Sequence, residues 1–243
     1  MKCKVCGFIY VQNVTSKDID NFYEKDYFDG KTARFNAETN INHPISETKK
    51  WLIKKYLDMP GYKNILEIGP GPEGGMIKYF KADTSRKIQC IEISKYASDY
   101  LNNNGIPTFN GKIYDFKTKE KYDLIIATEV IEHELNPQLF IETILNLLND
   151  GGMFFFSTGN TNGLCARKNG KNWYYWDPPA HISYFNNKCI KLLLKKSGFG
   201  KIKAFNAGFS WINLFRKLQI SAFLPIFSKL QISTGMLVFG YKK

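Results

Sequence analysis

Residues 65–75 read ILEIGPGPEGG. Ile65, Leu66 and Ile68 flank Glu67, and the chain then turns through Gly69, Gly71, Gly74 and Gly75. A short apolar run that gives way to glycines reads as a buried strand entering a tight turn. Gly69, Gly71 and Gly74 also fit G-x-G-x-x-G, the pattern of a loop that brings backbone close to a dinucleotide pyrophosphate. Three features speak for a different ligand. Glu73 stands in the turn that opens the next helix, where a carboxylate repels phosphate. Glu67, two residues before Gly69, suits a ligand that carries an ammonium group. The loop also begins far into the chain, after a helix and a cap, whereas a dinucleotide domain commonly starts near its first strand. An acid at the end of the following strand, Glu92, suits ribose hydroxyls under either reading.

Strands and helices alternate outward from this loop. Ser46 precedes ETKKWLIKKYLD, a helix stopped by Pro60-Gly61. NILEIG is a strand and GGMIKYF opens a helix; KIQCIEIS is the second strand and ASDYLNNNG a helix ending at Gly105. PTFNG is a third strand and YDLIIATEV a fourth, nearly continuous in apolar residues. NPQLFIETILNLLNDGG is a helix with Leu139, Ile141, Ile144, Leu145 and Leu148 inward, stopped by its two glycines; MFFFSTGN is the fifth strand. NNKCIKLLLKKSGFG is a later helix and GMLVFGYKK a last strand. This order predicts an α/β fold, a mostly parallel sheet with helices on both faces. The expected organisation is an N-terminal cap over residues 1–45 and one domain over 46–243, with an apolar insertion at 209–232.

The 243 residues suffice for such a domain, and 44% hydrophobic with 23% charged residues excludes global disorder. No charge-free apolar run is long enough to span a bilayer, and MKCKVCGFIY lacks a signal peptide's apolar core; the expectation is a cytoplasmic protein. The formal net charge of +12 favours anionic partners. Lysine is spread along the chain without a dense basic block, which argues against nucleic acid. Of five cysteines, Cys3 and Cys6 form C-x-x-C, half of a zinc ribbon with no second C-x-x-C.

LEIGPGPEGG, IEIS, YDLIIATEVIEHELNP, DGGMFFFSTGN and WDPPAHISYFN, in this order over roughly residues 46–200, resemble a class I S-adenosylmethionine-dependent methyltransferase. EVIEH and PPAHISYF are similar to the subgroup containing ubiquinone-biosynthesis O-methyltransferases and bacterial sugar-modifying methyltransferases. The resemblance implies a Rossmann-like seven-stranded sheet with the last strand antiparallel. It implies S-adenosyl-L-methionine as cofactor and S-adenosyl-L-homocysteine as product. Glu67, Gly69 and Gly71 would face the methionine part, and Glu92 with Ile93 the ribose. Asp115 would stand beside the adenine with Phe116 packing nearby; as plain sequence, Asp115 reads equally as an exposed loop acid. Thr128 and Glu129 would border the methyl group.

Methyl transfer needs a nucleophile aligned with the methyl carbon, water excluded and, for a hydroxyl, a general base. His133, closing EVIEH, is the leading base candidate and His181, in PPAHISYF, the second; His43 reads as a surface residue. Each has a plainer reading, His133 as a helix cap and His181 as a structural hydrogen-bonding group. Glu129, Glu132, His133 and His181 also resemble the metal set of small-RNA 2′-O-methyltransferases, although the RNA-binding additions of those enzymes are not apparent. A divalent metal there would acidify a sugar hydroxyl. Tyr23 and Tyr27 resemble the tyrosine-rich cap segment of the subgroup, and the aromatic run Trp173–Trp176 is expected to wall a pocket. The acceptor is expected to be a small molecule, anionic or sugar-containing, in surface-polysaccharide synthesis; a quinone precursor is the alternative. Residues 209–232, with Phe209, Trp211, Phe215 and Phe223 among basic residues, suit a peripheral membrane contact, a homodimer contact or a lid.

Overall fold

The computed structural model describes residues 1–22, 45–206 and 235–243. Tyr23, Tyr27, His43 and the 209–232 segment lie outside the described residues.

The central layer is a seven-stranded sheet. Its strands are β2 (Asn64–Ile68), β3 (Lys87–Glu92), β4 (Thr108–Asn110), β5 (Tyr122–Thr128), β6 (Leu148–Gly159), β8 (Lys201–Phe205) and β9 (Gly235–Tyr241), in the spatial order β4-β3-β2-β5-β6-β9-β8. β2 pairs in parallel with both β3 and β5, and β9 alone runs antiparallel, between β6 and β8. This is the expected Rossmann-like sheet with its last strand inverted. A two-stranded ribbon joins β1 (Ile9–Tyr10) to β7 (Ser183–Tyr184) and ties the N-terminal segment to the domain.

Both sheet faces are covered, which explains why the strand sequences are continuous apolar runs. Along β6, Phe154 and Phe156 join one core with Phe140, Ile141 and Ile144 of α4 (Pro137–Leu147) and Ile190 and Leu194 of α6 (Asn187–Ser197). Met153 and Phe155 point the other way, to a core with Leu52 of α2 (Glu47–Leu52), Phe80, and Leu101 of α3 (Lys95–Asn103). Side chains alternate along a strand, so one strand feeds two cores. The helices start where side-chain oxygens take up loose N–H groups: Ser46, Ser94, Asn136 and Asn186 each cap one.

Three elements differ from expectation. The segment after the glycine loop is a 3-10 helix, Ile77–Ala82, because Gly74 and Gly75 hold positive φ and the Glu67 carboxylate takes the N–H groups of Met76 and Ile77. α4 buries Phe140, Ile141, Ile144 and Leu147, whereas Leu139 is exposed and Leu145 half-buried. That helix ends at Leu147; Leu148 opens β6, and the two glycines lie inside the strand rather than stopping the helix. β8 was not expected: KIKAF alternates lysine with apolar residues, as suits a strand at the sheet edge. α1 (Ser16–Phe22) and α5 (Leu164–Asn169) complete the helices named here.

Candidate active site

The carboxyl ends of β3, β2 and β5 lie side by side where the strand order reverses, the place where open α/β sheets bind ligands. A cavity of about 550 Å³ opens there. Gly69, Gly71 and Glu73 of the loop, Glu92 and Ile93 after β3, Thr128 and Glu129 after β5, and His133 line it. The sequence expectation thus brings seven of its named residues to one wall: Gly69, Gly71, Glu92, Ile93, Thr128, Glu129 and His133.

Glu92 is nearly fully buried, and its carboxylate is held from two sides. Gly71 N–H donates to Oε2 and Ser94 N–H to Oε1, both at 3.0 Å. Burial raises its pKa while these N–H bonds oppose the rise. Each oxygen keeps a further lone pair, so the group can accept both hydroxyls of a ribose. Gly71, at φ +65°, has nothing within 4 Å of where a Cβ would stand. That open space faces the cavity.

Glu67 has a different place from the one expected. It lies fully buried under the loop and is not part of the cavity wall. Its carboxylate accepts from Met76 N–H at 2.9 and 3.0 Å and from Ile77 N–H at 2.5 Å. A Cβ on Gly75, at φ +45°, would stand 2.3 Å from Glu67 Oε1. Glu67 therefore fixes the loop from beneath. Burial pushes its pKa up to about 7.

Asp115 and Phe116 are also absent from the wall. Asp115 is exposed, and Phe116 packs its ring 5.3 Å from that of Phe109. The cavity is lined instead by their neighbours Lys112, Ile113 and Tyr114. Tyr114 donates to Glu134 Oε2 at 2.6 Å, and burial foremost pushes Glu134 up to about 7.

Behind Glu129 lies a buried polar cluster. Glu129 adopts φ +55°, a conformation that costs a non-glycine residue energy and that gathers at functional sites. Ser157 Oγ donates to its Oε1 at 2.7 Å and Tyr175 Oη to its Oε2 at 2.9 Å. Tyr175 Oη also lies 2.5 Å from Glu132 Oε1, and Thr158 Oγ1 donates to Glu132 Oε2 at 3.0 Å. Burial and then the charge of Glu129 push Glu132 well above the usual carboxylate range. The run Trp173–Trp176 does not wall the cavity as expected: Trp173 is core, Tyr174 is exposed, and Tyr175 is buried with its hydroxyl on the Glu129 and Glu132 carboxyls.

His133 and His181 meet with ring centroids 4.9 Å apart, although 48 positions separate them in the chain. His133 Nδ1 is 2.7 Å from Ala180 O, and His181 Nδ1 is 2.9 Å from Tyr175 O. A carbonyl only accepts, so each of these contacts calls for a proton on Nδ1. Burial, then the neighbouring His181, lowers His133 to about 4. His133 reaches the cavity; His181 stands behind it. Ligand atoms of Glu132, His133 and His181 all lie within 4.8 Å of one another, the spacing of a candidate metal centre. Glu134 and Tyr114 are cavity residues that sequence reasoning missed; only the place of Tyr114 beside Asp115 pointed toward one of them.

Comparison with known proteins agrees with the fold. A family described as methyltransferase domain matches residues 31–204. The ubiquinone biosynthesis O-methyltransferase of Coxiella burnetii (strain RSA 493 / Nine Mile phase I) is 27% identical over 127 residues, 49% of this chain and 53% of that protein. Its counterpart in Paraburkholderia phytofirmans is 26% identical over 137 residues, 52% and 57% of the two chains. The chain spans about half the length of these curated relatives. Among solved structures, a S-adenosylmethionine-dependent methyltransferase from Mesorhizobium loti superposes with TM-score 0.61 at 12% identity, over 84% of this chain and all of that one. Haemonchus contortus phosphoethanolamine N-methyltransferase 2 in complex with S-adenosyl-L-methionine gives TM-score 0.63 at 16% identity, over 96% and 61%. The glycine loop, the acid after β3 and the inverted last strand are accounted for together: the chain belongs to the methyltransferase domain family.

Proposed function

We propose that the chain binds S-adenosyl-L-methionine in this cavity and transfers its methyl group to an oxygen of a small acceptor, releasing S-adenosyl-L-homocysteine. One observation carries the cofactor reading over a dinucleotide. Four glutamates line the cavity, Glu73, Glu92, Glu129 and Glu134, against one lysine, Lys112. Such a wall repels a pyrophosphate and favours a ligand with sulfonium and ammonium charges.

Bound there, S-adenosyl-L-methionine would supply a methyl group for in-line attack by an acceptor oxygen, its sulfur leaving as a thioether. His133 borders the cavity, burial keeps it neutral near pH 7, and it is the candidate to take the acceptor's proton. His181 packs on His133, and Tyr175 holds Glu129 and Glu132 in place behind the cavity wall. A sugar of the kind used in surface-polysaccharide synthesis is the first class to screen, and a quinone precursor, suggested by the relatives' role in ubiquinone biosynthesis, the second. The test is incubation with methyl-labelled cofactor and both panels. Label on an acceptor hydroxyl, lost in His133→Ala, supports the reading; label on nitrogen or carbon overturns the oxygen assignment.

A second reading rests on the grouping of Glu132, His133 and His181. Their carboxylate and imidazole donors suit a divalent cation, and the bonds to Ala180 O and Tyr175 O hold the two rings in place, as partners of metal-bound histidines do. A cation there would acidify an acceptor hydroxyl, including an RNA ribose. Chelator dialysis that leaves turnover unchanged would rule this out; loss of turnover restored by manganese would establish it.

A further inference from the structure

Lysines are spread along the chain, but the acids are not. All 22 acidic residues lie at or before Asp177, whereas eleven of the 34 basic residues follow it. Residues 178–243 carry eleven positive charges and no acidic side chain. The described part of this stretch builds one edge of the sheet: β8 is the terminal strand, and α6 leads into it. Lys201 and Lys203 on β8 are exposed, as are Lys195 and Lys196 in the last turn of α6.

A second basic group joins this edge from the other face of the sheet. Ile202 and Ala204 turn toward the core under α6, so Lys201, Lys203 and Phe205 turn to the opposite face. There the π-helical turn Ile53–Leu57, which continues α2, packs on the same strands: the Tyr56 ring stands 6.5 Å from Phe205 and 5.5 Å from Phe239. Lys54 and Lys55 of that turn are exposed. Lys55 Nζ lies 4.7 Å from the Trp51 ring and 5.5 Å from the Tyr56 ring, and Lys201 Nζ lies 5.8 Å from the Tyr241 ring. Among the described residues none of these six lysines is ion-paired. The acids of the same segment are taken: Glu47 pairs with Lys50 at 3.0 Å and Asp58 with Arg86 at 2.6 Å. Lysine stems against half-buried aromatic rings, with the ammonium groups in water, are what an anionic headgroup layer attracts.

We propose that this edge docks on the anionic surface of a lipid bilayer, with Lys201 and Lys203 at its centre, Lys54 and Lys55 on one flank and Lys195 and Lys196 on the other. Each lysine close to an anionic leaflet contributes roughly fivefold in affinity, and no neighbouring acid in residues 178–243 offsets it. Nucleic acid offers phosphate too, but two features favour lipid. Trp51 and Tyr56 are half-buried beside the lysines rather than exposed as platforms for bases. The chain also leaves the edge after Phe205 and returns at Gly235, and by sequence the residues between hold Phe209, Trp211, Phe215, Phe223 and Phe227 with only Arg216, Lys217 and Lys229 as charges. That composition suits the boundary between headgroups and acyl chains. The contact is assigned to the described lysines alone, and it stands whether or not the methyl-transfer reading does.

The test is co-sedimentation of the full chain with vesicles of phosphatidylcholine, alone or mixed with phosphatidylglycerol, at low and at high salt. The expected result is pelleting with the mixed vesicles only, weakened by salt. The double variant Lys201→Glu, Lys203→Glu should lower the affinity at least roughly tenfold. The double variant Lys119→Glu, Lys168→Glu makes the same change of charge at exposed lysines elsewhere and should lower it far less. Circular dichroism shows that each variant is folded. No pelleting, equal pelleting with both kinds of vesicle, or equal loss in the two double variants would overturn the proposal. So would an RNA oligonucleotide that binds more tightly than the mixed vesicles and loses that binding in Lys201→Glu, Lys203→Glu, which would assign the edge to nucleic acid.

Discussion

The Tyr175 hydroxyl lies 2.5 Å from Glu132 Oε1 in the buried wall behind the cavity. The same oxygen is 2.9 Å from Glu129 Oε2 and accepts Gly159 N–H at 2.8 Å. Burial, then the charge of Glu129, pushes Glu132 well above the usual carboxylate range, and the Tyr175 hydroxyl is the group both carboxyls share.

Tyr175→Phe removes the bridging oxygen and leaves the buried Gly159 N–H without its partner, while Glu132 keeps Thr158 and Glu129 keeps Ser157. One unsatisfied buried group costs about 1–3 kcal/mol, so urea unfolding should show a loss in that range. Cofactor affinity should change little, because Tyr175 does not line the cavity. Turnover should fall, since Glu129 borders the cavity and loses one of its anchors. Equal loss of affinity and turnover would show that Tyr175 only supports the fold.

Glu92→Ala removes the proposed acceptor of the ribose hydroxyls and orphans Gly71 N–H and Ser94 N–H. Hydrogen bonds to a charged group contribute about 1.5–3 kcal/mol, so affinity for S-adenosyl-L-homocysteine should fall by roughly 10- to 100-fold. Calorimetry of the folded variant measures it; an unchanged Kd would remove Glu92 from the ribose subsite.

Gly71 and Gly75 should separate binding from folding. Gly75→Ala drives a Cβ into the Glu67 carboxylate at φ +45°, so the variant should unfold at lower urea by at least the ~1–3 kcal/mol of a strained residue. Gly71→Ala meets no protein atom within 4 Å but projects toward the cofactor. Its main effect should be weaker binding with only the strain of φ +65° in stability. Ligand titration and unfolding of the two variants, compared directly, check the pair.

Glu67 supplies a pH dependence with a definite sign. Its folded pKa, about 7, lies above its ordinary 4.5. The folded chain therefore holds this proton where the unfolded chain has lost it. Its contribution is fully present below pH 4.5 and is lost as pH rises to 7. Glu67→Gln, which keeps an acceptor for Met76 and Ile77, should flatten that part of the stability profile. Urea midpoints from pH 4.5 to 8 test it; a parallel fall in the variant would assign the effect to other groups.

Much of this architecture is legible in the chain because strands buried on two faces leave uninterrupted apolar runs, as YDLIIAT does, and because caps such as Ser94 and Asn136 mark helix starts. β8 escaped because edge strands carry lysines, and α4 was rotated in the reading because Leu139 is apolar yet faces the cavity mouth. The glycine loop and Glu92 were readable since both are local in sequence. The Glu67 role was not: whether a carboxylate faces a ligand or pins the loop from below depends on which N–H groups fold over it. The Tyr175 bridge and the meeting of His133 with His181 join residues more than forty positions apart, which no local pattern encodes.

The most direct measurement is a calorimetric titration of the purified chain with S-adenosyl-L-methionine, S-adenosyl-L-homocysteine and NAD. The account predicts saturable binding of the first two and none of NAD, because the glutamate-lined cavity rejects a pyrophosphate. Binding of NAD with no response to either sulfur compound would contradict it and would return the loop at residues 69–75 to a dinucleotide.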